Sequence, residues 1–176
     1  MVDYFKFFGI KPSIKIDDAK LKAIFYENTK KFHPDLHGNS SDDSQNDFLQ
    51  KSVLNNKAYK IISNFNSRVN HLLEVNEMSE EDQKYQLPQQ FLMEMMDMND
   101  EIESLEMNFS EENQLNLVKN INSLLMNVDI ETIDNDLIGS ENEKEIKNKL
   151  EKIRELYFKK KYLLRIQDSL NKFATR

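Results

Sequence analysis

The sequence predicts an all-α fold in two parts. Apolar residues recur at helical spacing along most of the chain, and no stretch alternates between apolar and polar residues as a half-buried strand would. Only 3 glycines and 3 prolines occur among 176 residues, which is few for a loop-rich or all-β protein. These residues divide the chain into helical segments, and they fall at Gly9 and Pro12, Pro34 and Gly38, Pro88, and Gly139.

The first part, residues 1–74, is predicted to hold four short helices. Asp17 can cap the second helix, because its carboxylate can accept hydrogen bonds from the free N–H groups of the first turn. Pro34 ends that helix, since a proline disfavours helical geometry in the residue before it. A polar loop follows at 35–43. The expected helices cover residues 2–9, 17–32, 44–65 and 66–74.

The second part, residues 88–176, is predicted to form a three-helix bundle after a polar linker at 75–87. Pro88 suits the first position of a helix, because its missing N–H would be unpaired there in any case. Ser140 and Glu143 have the spacing of a capping box at the start of the last helix. The expected helices cover residues 88–108, 110–128 and 141–173.

Composition limits the possible functions. Residues 1–74 hold 11 Lys/Arg against 9 Asp/Glu, and residues 75–176 hold 13 against 22, so the net charge of −7 is the sum of +2 and −9. An acidic chain is a poor fit to nucleic acid. The absence of cysteine excludes disulfides and cysteine-based metal sites. No apolar run approaches the roughly 20 residues that span a bilayer, and no signal peptide is recognisable. We therefore expect a soluble cytoplasmic protein with no nucleic-acid or membrane partner.

Enzyme motifs are missing from the sequence. No glycine-rich phosphate loop occurs, and no strand is predicted that could present a nucleophile on a strand-to-helix turn. We expect no catalytic activity, no cofactor and no metal. The alternative left open is a metal-dependent helical hydrolase that uses His33, Asp35 and His37, whose side chains are of metal-binding types.

The most specific polar segment is the tripeptide His33-Pro34-Asp35, which closes an amphipathic helix and opens the loop to the next one. Pro34 fixes one backbone dihedral and holds its neighbours outside helical geometry. A helix, this loop and a second helix are the arrangement of the J-domain, and the first part resembles that family. The resemblance implies that these three residues engage a DnaK-type ATPase and raise its rate of ATP hydrolysis.

Beside this loop, the second helix carries a basic face. Lys22, Tyr26 and Lys30 recur every four residues, opposite the apolar stripe of the helix, and Lys31 flanks them. A merely solvated surface is the alternative interpretation. Next to the loop, the basic face indicates docking on an acidic chaperone surface.

The resemblance extends to the HscB family, which are J-type co-chaperones of iron–sulfur cluster assembly. It implies two partners, an HscA-like chaperone of the DnaK type and an IscU-type scaffold; a J-domain protein with a different client is the alternative. His71 lies on an apolar stretch and is expected to be a satisfied core or interface residue. The matching segments are DYFKFFGI at 3–10, Asn56 with Ala58 and Tyr59, Arg68 with His71-Leu72-Leu73, and FLMEMMDMNDEIE at 91–103.

The helix that starts at Pro88 has two apolar faces. One face follows 4-3-4-3-4 spacing and is expected to form the bundle core; it comprises Phe91, Met95, Met98, Ile102, Leu105 and Phe109. The other face groups apolar residues inside an acidic rim, which is typical of a protein-binding surface. The family's scaffold-binding residues match Leu92, Met93 and Met96, although the J-domain could instead cover this face. The predicted scaffold-binding patch comprises Leu92, Met93, Met96, Asp97, Asp100 and, extending it from the last helix, Phe158.

Overall fold

A computed structural model describes residues 2–33, 42–78, 85–130 and 142–174, and these residues form helices and their connections. No strand occurs within the described ranges, so the predicted all-α class is confirmed. Every helix lies within two residues of its predicted ends. The helices are α1 (Tyr4–Phe8), α2 (Asp18–Lys31), α3 (Asp42–Ser63), α4 (Phe65–Val75), α5 (Gln89–Met107), α6 (Glu111–Asn127) and α7 (Glu143–Ala174).

Side-chain caps explain where several helices begin. Asp17 accepts the Lys20 backbone N–H at 2.9 Å, as predicted, and equivalent bonds start α1, α4 and α6. Pro88 was predicted to be the first residue of its helix, but it is the N-cap residue that precedes α5. Its carbonyl accepts the Leu92 N–H at 3.1 Å. The predicted cap at Ser140 lies outside the described residues.

The chain divides into two compact units, and the first contains α1 to α4. Its buried apolar side chains include Phe5, Phe8, Ile14, Leu21, Ala58, Ile62, Val69 and Leu73. α2 and α3 pack as an antiparallel hairpin, since Phe25 stacks on Tyr59 with ring centroids 4.3 Å apart while Thr29 bonds to Asn55. Beyond α4, the Met78 N–H donates to the Leu73 carbonyl at 2.9 Å.

A buried arginine joins α4 to the rest of the first unit. Arg68 is 7% exposed, and its Nε donates to the Ile14 carbonyl at 2.8 Å. Its Nη1 donates to the Ile62 carbonyl, at the end of α3, at 2.6 Å. One side chain therefore connects α4 to α3 and to the segment between α1 and α2.

His71 is the second buried polar side chain of α4. Its Nε2 accepts the Tyr4 backbone N–H at 3.0 Å, and its Nδ1 lies 3.4 Å from a Glu74 carboxylate oxygen. Because Nε2 accepts a hydrogen bond, the ring is neutral and carries its proton on Nδ1. The ring also lies against the rings of Tyr4 and Phe5. The prediction of a satisfied core histidine is confirmed.

The second unit consists of α5, α6 and α7, as the predicted three-helix bundle requires. Its core cluster contains Phe91, Met95, Ile102, Leu117, Ile121, Val128, Leu163, Ile166 and Leu170. The predicted core position of Phe109 is wrong: the side chain is 65% exposed, because α5 ends at Met107. Among the described residues, no helix is both long enough and apolar enough to cross a membrane.

The buried face of α7 changes along the 32 residues of the helix. Leu150 and Ile153 are buried in the first half, and Leu163 is buried in the second half while Leu164 is 36% exposed. A single apolar line extended from Leu150 and Ile153 would lead to Leu164, but Leu163 is the residue that is buried. The two halves of α7 bury different faces of the helix, so one apolar stripe cannot describe both halves.

Candidate functional site

The basic face of α2 is accessible to solvent. Lys22 and Lys30 are exposed, and Tyr26, one turn from each, is 53% exposed. Since each residue rises about 1.5 Å, the three side chains extend over about 12 Å of the helix. Lys31 is exposed as well, with its Nζ 5.8 Å from the centroid of the Phe32 ring. The predicted docking residues of α2 therefore share one accessible region.

The opposite side of α2 is held against α3 by a buried amide. Asn55 is 1% exposed, and its Nδ2 donates to the Phe25 carbonyl and to the Thr29 hydroxyl oxygen, both at 3.1 Å. The Thr29 hydroxyl donates in turn to the Phe25 carbonyl at 2.8 Å. The sequence gives no indication of the groups that Asn55 bonds, because they lie on another helix. These bonds fix the orientation of α2 and therefore of its basic face.

His33 is the one residue of the predicted tripeptide that the structure describes. It is exposed and follows Phe32, the C-cap residue of α2. Pro34 and Asp35 lie outside the described residues, as does His37 of the alternative metal site. Within the described ranges, no group of three or more His, Cys, Asp or Glu side chains is placed to hold a metal ion.

α5 separates a buried face from an exposed face. Met95 is fully buried, whereas Met93 and Met96 on either side are 59% and 64% exposed. Leu92 is half-buried, beside the buried Phe91. The rim residues Asp97 and Asp100 are both exposed. The helix thus brings five of the six predicted patch residues onto its accessible surface.

Phe158 is not part of that exposed surface, which corrects the prediction. It is 7% exposed because the ring of Tyr85 stacks on it at 5.4 Å. The Arg154 guanidinium lies 4.3 Å from the centroid of the Tyr85 ring. Burial raises the pKa of the Tyr85 hydroxyl above its ordinary value of 10.0, the Glu155 carboxylate raises the pKa further, and Arg154 opposes both effects. The one indication of this cluster in the sequence is Tyr85, an isolated aromatic residue in the polar segment 75–87.

Known proteins are similar to this chain in sequence. Residues 87–171, which contain most of the second unit, match the family of the HSCB C-terminal oligomerisation domain. A co-chaperone protein HscB homolog from Vibrio vulnificus is 35% identical over 106 residues, covering 59% of this chain and 61% of that protein. Co-chaperone protein HscB from Buchnera aphidicola is 37% identical over 75 residues, 43% of each chain. The matches therefore span about three fifths or less of these relatives' length.

Solved structures share the fold over nearly the whole chain. Chaperone HscB from Vibrio cholerae has a TM-score of 0.59 and 20% identity, and the match covers 99% of this chain and 98% of that one. Human co-chaperone protein HscB has a TM-score of 0.62 and 21% identity, with 97% and 81% covered. The fold is accordingly an N-terminal J-domain with a C-terminal helical domain. The chain is therefore similar to HscB co-chaperones in sequence over part of its length and in fold over nearly all of it.

Proposed function

We propose that the protein is a J-type co-chaperone of iron–sulfur cluster assembly. In this proposal it stimulates ATP hydrolysis by a DnaK-type, HscA-like chaperone and delivers an IscU-type scaffold to that chaperone. One observation carries the proposal: each unit exposes a surface of different chemistry, a basic helix face in the first and an apolar face with an acidic rim in the second. Two such surfaces suit an adaptor, which must bind two unlike partners.

The chaperone-binding surface of the proposal consists of α2 and the loop after it. Lys22, Lys30 and Lys31 attract an acidic surface over a distance, and Tyr26 offers a ring that can be buried on contact. His33, with Pro34 and Asp35 following it, would then reach the ATPase. The chain supplies no reacting group of its own in this scheme, because the chaperone carries out the hydrolysis.

The scaffold-binding surface of the proposal lies on α5. Leu92, Met93 and Met96 provide apolar area, and methionine side chains adapt their shape to a partner because they are unbranched and flexible. Asp97 and Asp100 border this area and favour a partner with basic residues around its own apolar contact. Burial of Met95 on the other side of the helix keeps this face turned outward.

The experiment separates the two surfaces in one set of variants. We expect His33→Gln to abolish stimulation of an HscA-like ATPase while scaffold binding persists. The triple variant Leu92→Ala, Met93→Ala, Met96→Ala should lose scaffold binding while basal stimulation persists. Leu115→Ala with Met126→Ala is the matched control, since both side chains are exposed on another helix of the same unit, at 54% and 80%.

Two outcomes would contradict the proposal. Full stimulation of the ATPase by a His33→Gln variant with unchanged helical content would contradict the assignment of the chaperone-binding surface. Loss of several kcal/mol of stability in the triple variant, on the scale of about 2–5 kcal/mol for core truncations, would show that the three residues belong to the core.

A further inference from the structure

A polar side chain with one unsatisfied atom lies in the seam between α2 and α3. Asn55 is 1% exposed, and its Nδ2 donates to the Phe25 carbonyl and to the Thr29 hydroxyl oxygen. Its Oδ1 is buried as well, and no described residue donates a hydrogen bond to it. A buried acceptor without a donor lowers stability. An apolar side chain of similar size would therefore hold the seam together at least as well.

Two contacts across the seam belong to the same antiparallel register. Phe25 stacks on Tyr59 with ring centroids 4.3 Å apart, and Asn55 bonds to Thr29 at 3.1 Å. From the first contact to the second, the chain advances four residues along α2 and goes back four along α3. Apolar packing specifies such a register weakly, because it is not directional and apolar residues recur about every turn. The Asn55 hydrogen bonds are directional, so a shift of one turn breaks them.

These hydrogen bonds lie close to the proposed chaperone-binding surface. Thr29 precedes Lys30 in sequence and lies about one turn before His33, the exposed residue that follows the C-cap of α2. After His33 the chain returns to α3, which begins at Asp42. A shift of α2 by one turn, about 5.4 Å, changes the distance between the two helix ends that this loop connects. The position of His33 relative to α3 therefore depends on the register of the hairpin.

We propose that Asn55 is a positioning residue for the chaperone-binding surface. Its buried amide sets the register of α2 on α3 and lowers stability in doing so, and the register sets where His33 meets the partner. The inference rests on the proposed function for the identity of that partner, an HscA-like ATPase. A single buried asparagine fixes the register of helices in coiled coils in the same way. An apolar residue in place of Asn55 would stabilise the hairpin and leave its register less well defined.

The first test replaces the amide with an apolar side chain. Asn55→Leu should unfold at the same urea concentration as the unchanged protein or at a higher one, because the Thr29 hydroxyl still donates to the Phe25 carbonyl at 2.8 Å. Maximal stimulation of an HscA-like ATPase should nevertheless fall about threefold or more, because directional contacts weaken steeply when they are misaligned. The concentration that gives half-maximal stimulation should stay within about twofold, since attraction by exposed lysines acts over roughly 10 Å and tolerates a small shift.

The matched control for this test is Asn56→Leu, because Asn56 is the next residue of α3 and is exposed. It should change neither the urea midpoint nor the stimulation of the ATPase. A merely structural role for Asn55 predicts a different result, in which Asn55→Leu lowers the urea midpoint and stimulation together. That result would overturn the proposal, as would full stimulation by Asn55→Leu.

The second test changes Thr29, which accepts one of the Asn55 hydrogen bonds. Thr29→Val removes this acceptor from a buried donor, so the urea midpoint should fall. Thr29→Ser keeps the hydroxyl and should rescue both the midpoint and stimulation. Adding Asn55→Leu to Thr29→Val should restore the midpoint, because no buried amide is left, but it should not restore stimulation. Recovery of both properties in this double variant would show that Asn55 affects stability alone and would overturn the proposal.

The third test measures the register without the ATPase. The chain contains no cysteine, so spin labels can be attached at Asp18→Cys in α2 and Gln50→Cys in α3, both at exposed positions. Adding Asn55→Leu should broaden the distance distribution between the labels or shift it by about 5 Å, one helical turn. An unchanged distribution would overturn the proposal. Failure of the unchanged protein to stimulate any HscA-like ATPase would contradict the proposed function instead, and the distance measurement would still decide whether Asn55 sets the register.

Discussion

Each unit has a buried apolar core, but the first unit buries more polar side chains than the second. In the first unit, Asn55, Arg68 and His71 are buried, and each bonds to a group in another segment of the unit. In the second unit, the core cluster consists of nine buried apolar residues, and Arg154 is the buried polar side chain among the described residues of that unit. Hydrogen bonds are directional, whereas apolar packing depends mainly on buried area.

This difference corresponds to the surfaces that the units present. Under the proposed function, the basic face of α2 has to keep its orientation next to His33, and the Asn55 bonds hold α2 on α3. The apolar surface of α5 needs only that Met95 and its core neighbours face inward. Directional hydrogen bonds therefore occur where the orientation of α2 matters to the proposed function. On α5, apolar packing of the Met95 face is enough to leave the opposite face exposed.

The largest effect is expected from Arg68→Ala in the first unit. The change removes the donors to the Ile14 and Ile62 carbonyls, and a buried acceptor left unsatisfied costs about 1–3 kcal/mol. We expect a loss of about 3–5 kcal/mol in the free energy of unfolding. Hydrogen exchange should accelerate in α1 and α4 and stay unchanged in α6. A loss below 1 kcal/mol would contradict the role assigned to buried polar contacts.

The next largest effect is expected in the second unit, where two neighbouring methionines are compared. Met95→Ala should cost about 2–4 kcal/mol, because a fully buried side chain is truncated in a close-packed core. Met96→Ala should change stability by less than about 0.5 kcal/mol, since its side chain is mostly exposed. Urea denaturation of both variants provides the measurement. Equal losses would mean that α5 is rotated relative to the structure.

Much of this comparison could be predicted from the sequence, because its causes are local. The start of α2 follows from the cap at Asp17, and the two faces of α5 follow from the spacing of its apolar residues. The Arg68 bonds could not be predicted, since their acceptors are backbone carbonyls that only the fold brings near. The burial of Phe158 was missed for a related reason, because Tyr85 belongs to a segment without helical periodicity.

A smaller effect of opposite sign is expected at the end of the first unit. Glu77 has a φ of 58°, in the left-handed region where a side chain is strained and glycine is not. Glu77→Gly should therefore raise the free energy of unfolding by about 0.5–1 kcal/mol, measured by thermal denaturation. Glu77→Ala is the control, because it removes the carboxylate but keeps the strain. Equal stabilisation by both variants would assign the effect to charge.

The smallest effect concerns Tyr85, whose ring packs between Phe158 and Arg154 in the second unit. Its pKa is raised in the folded state, mainly by burial, so folding favours the neutral hydroxyl. The resulting stabilisation is fully present below the unfolded pKa of about 10 and is lost as pH rises through the folded pKa. Tyr85→Phe keeps the ring over Phe158 but cannot ionise. We expect urea denaturation to show a shallower loss of stability above pH 10 in this variant than in the unchanged protein, whereas Tyr26→Phe, on the exposed face of α2, should follow the unchanged protein. Identical profiles for Tyr85→Phe and the unchanged protein would mean that the Tyr85 hydroxyl ionises as easily in the folded as in the unfolded chain, which would contradict the effect of burial at this position.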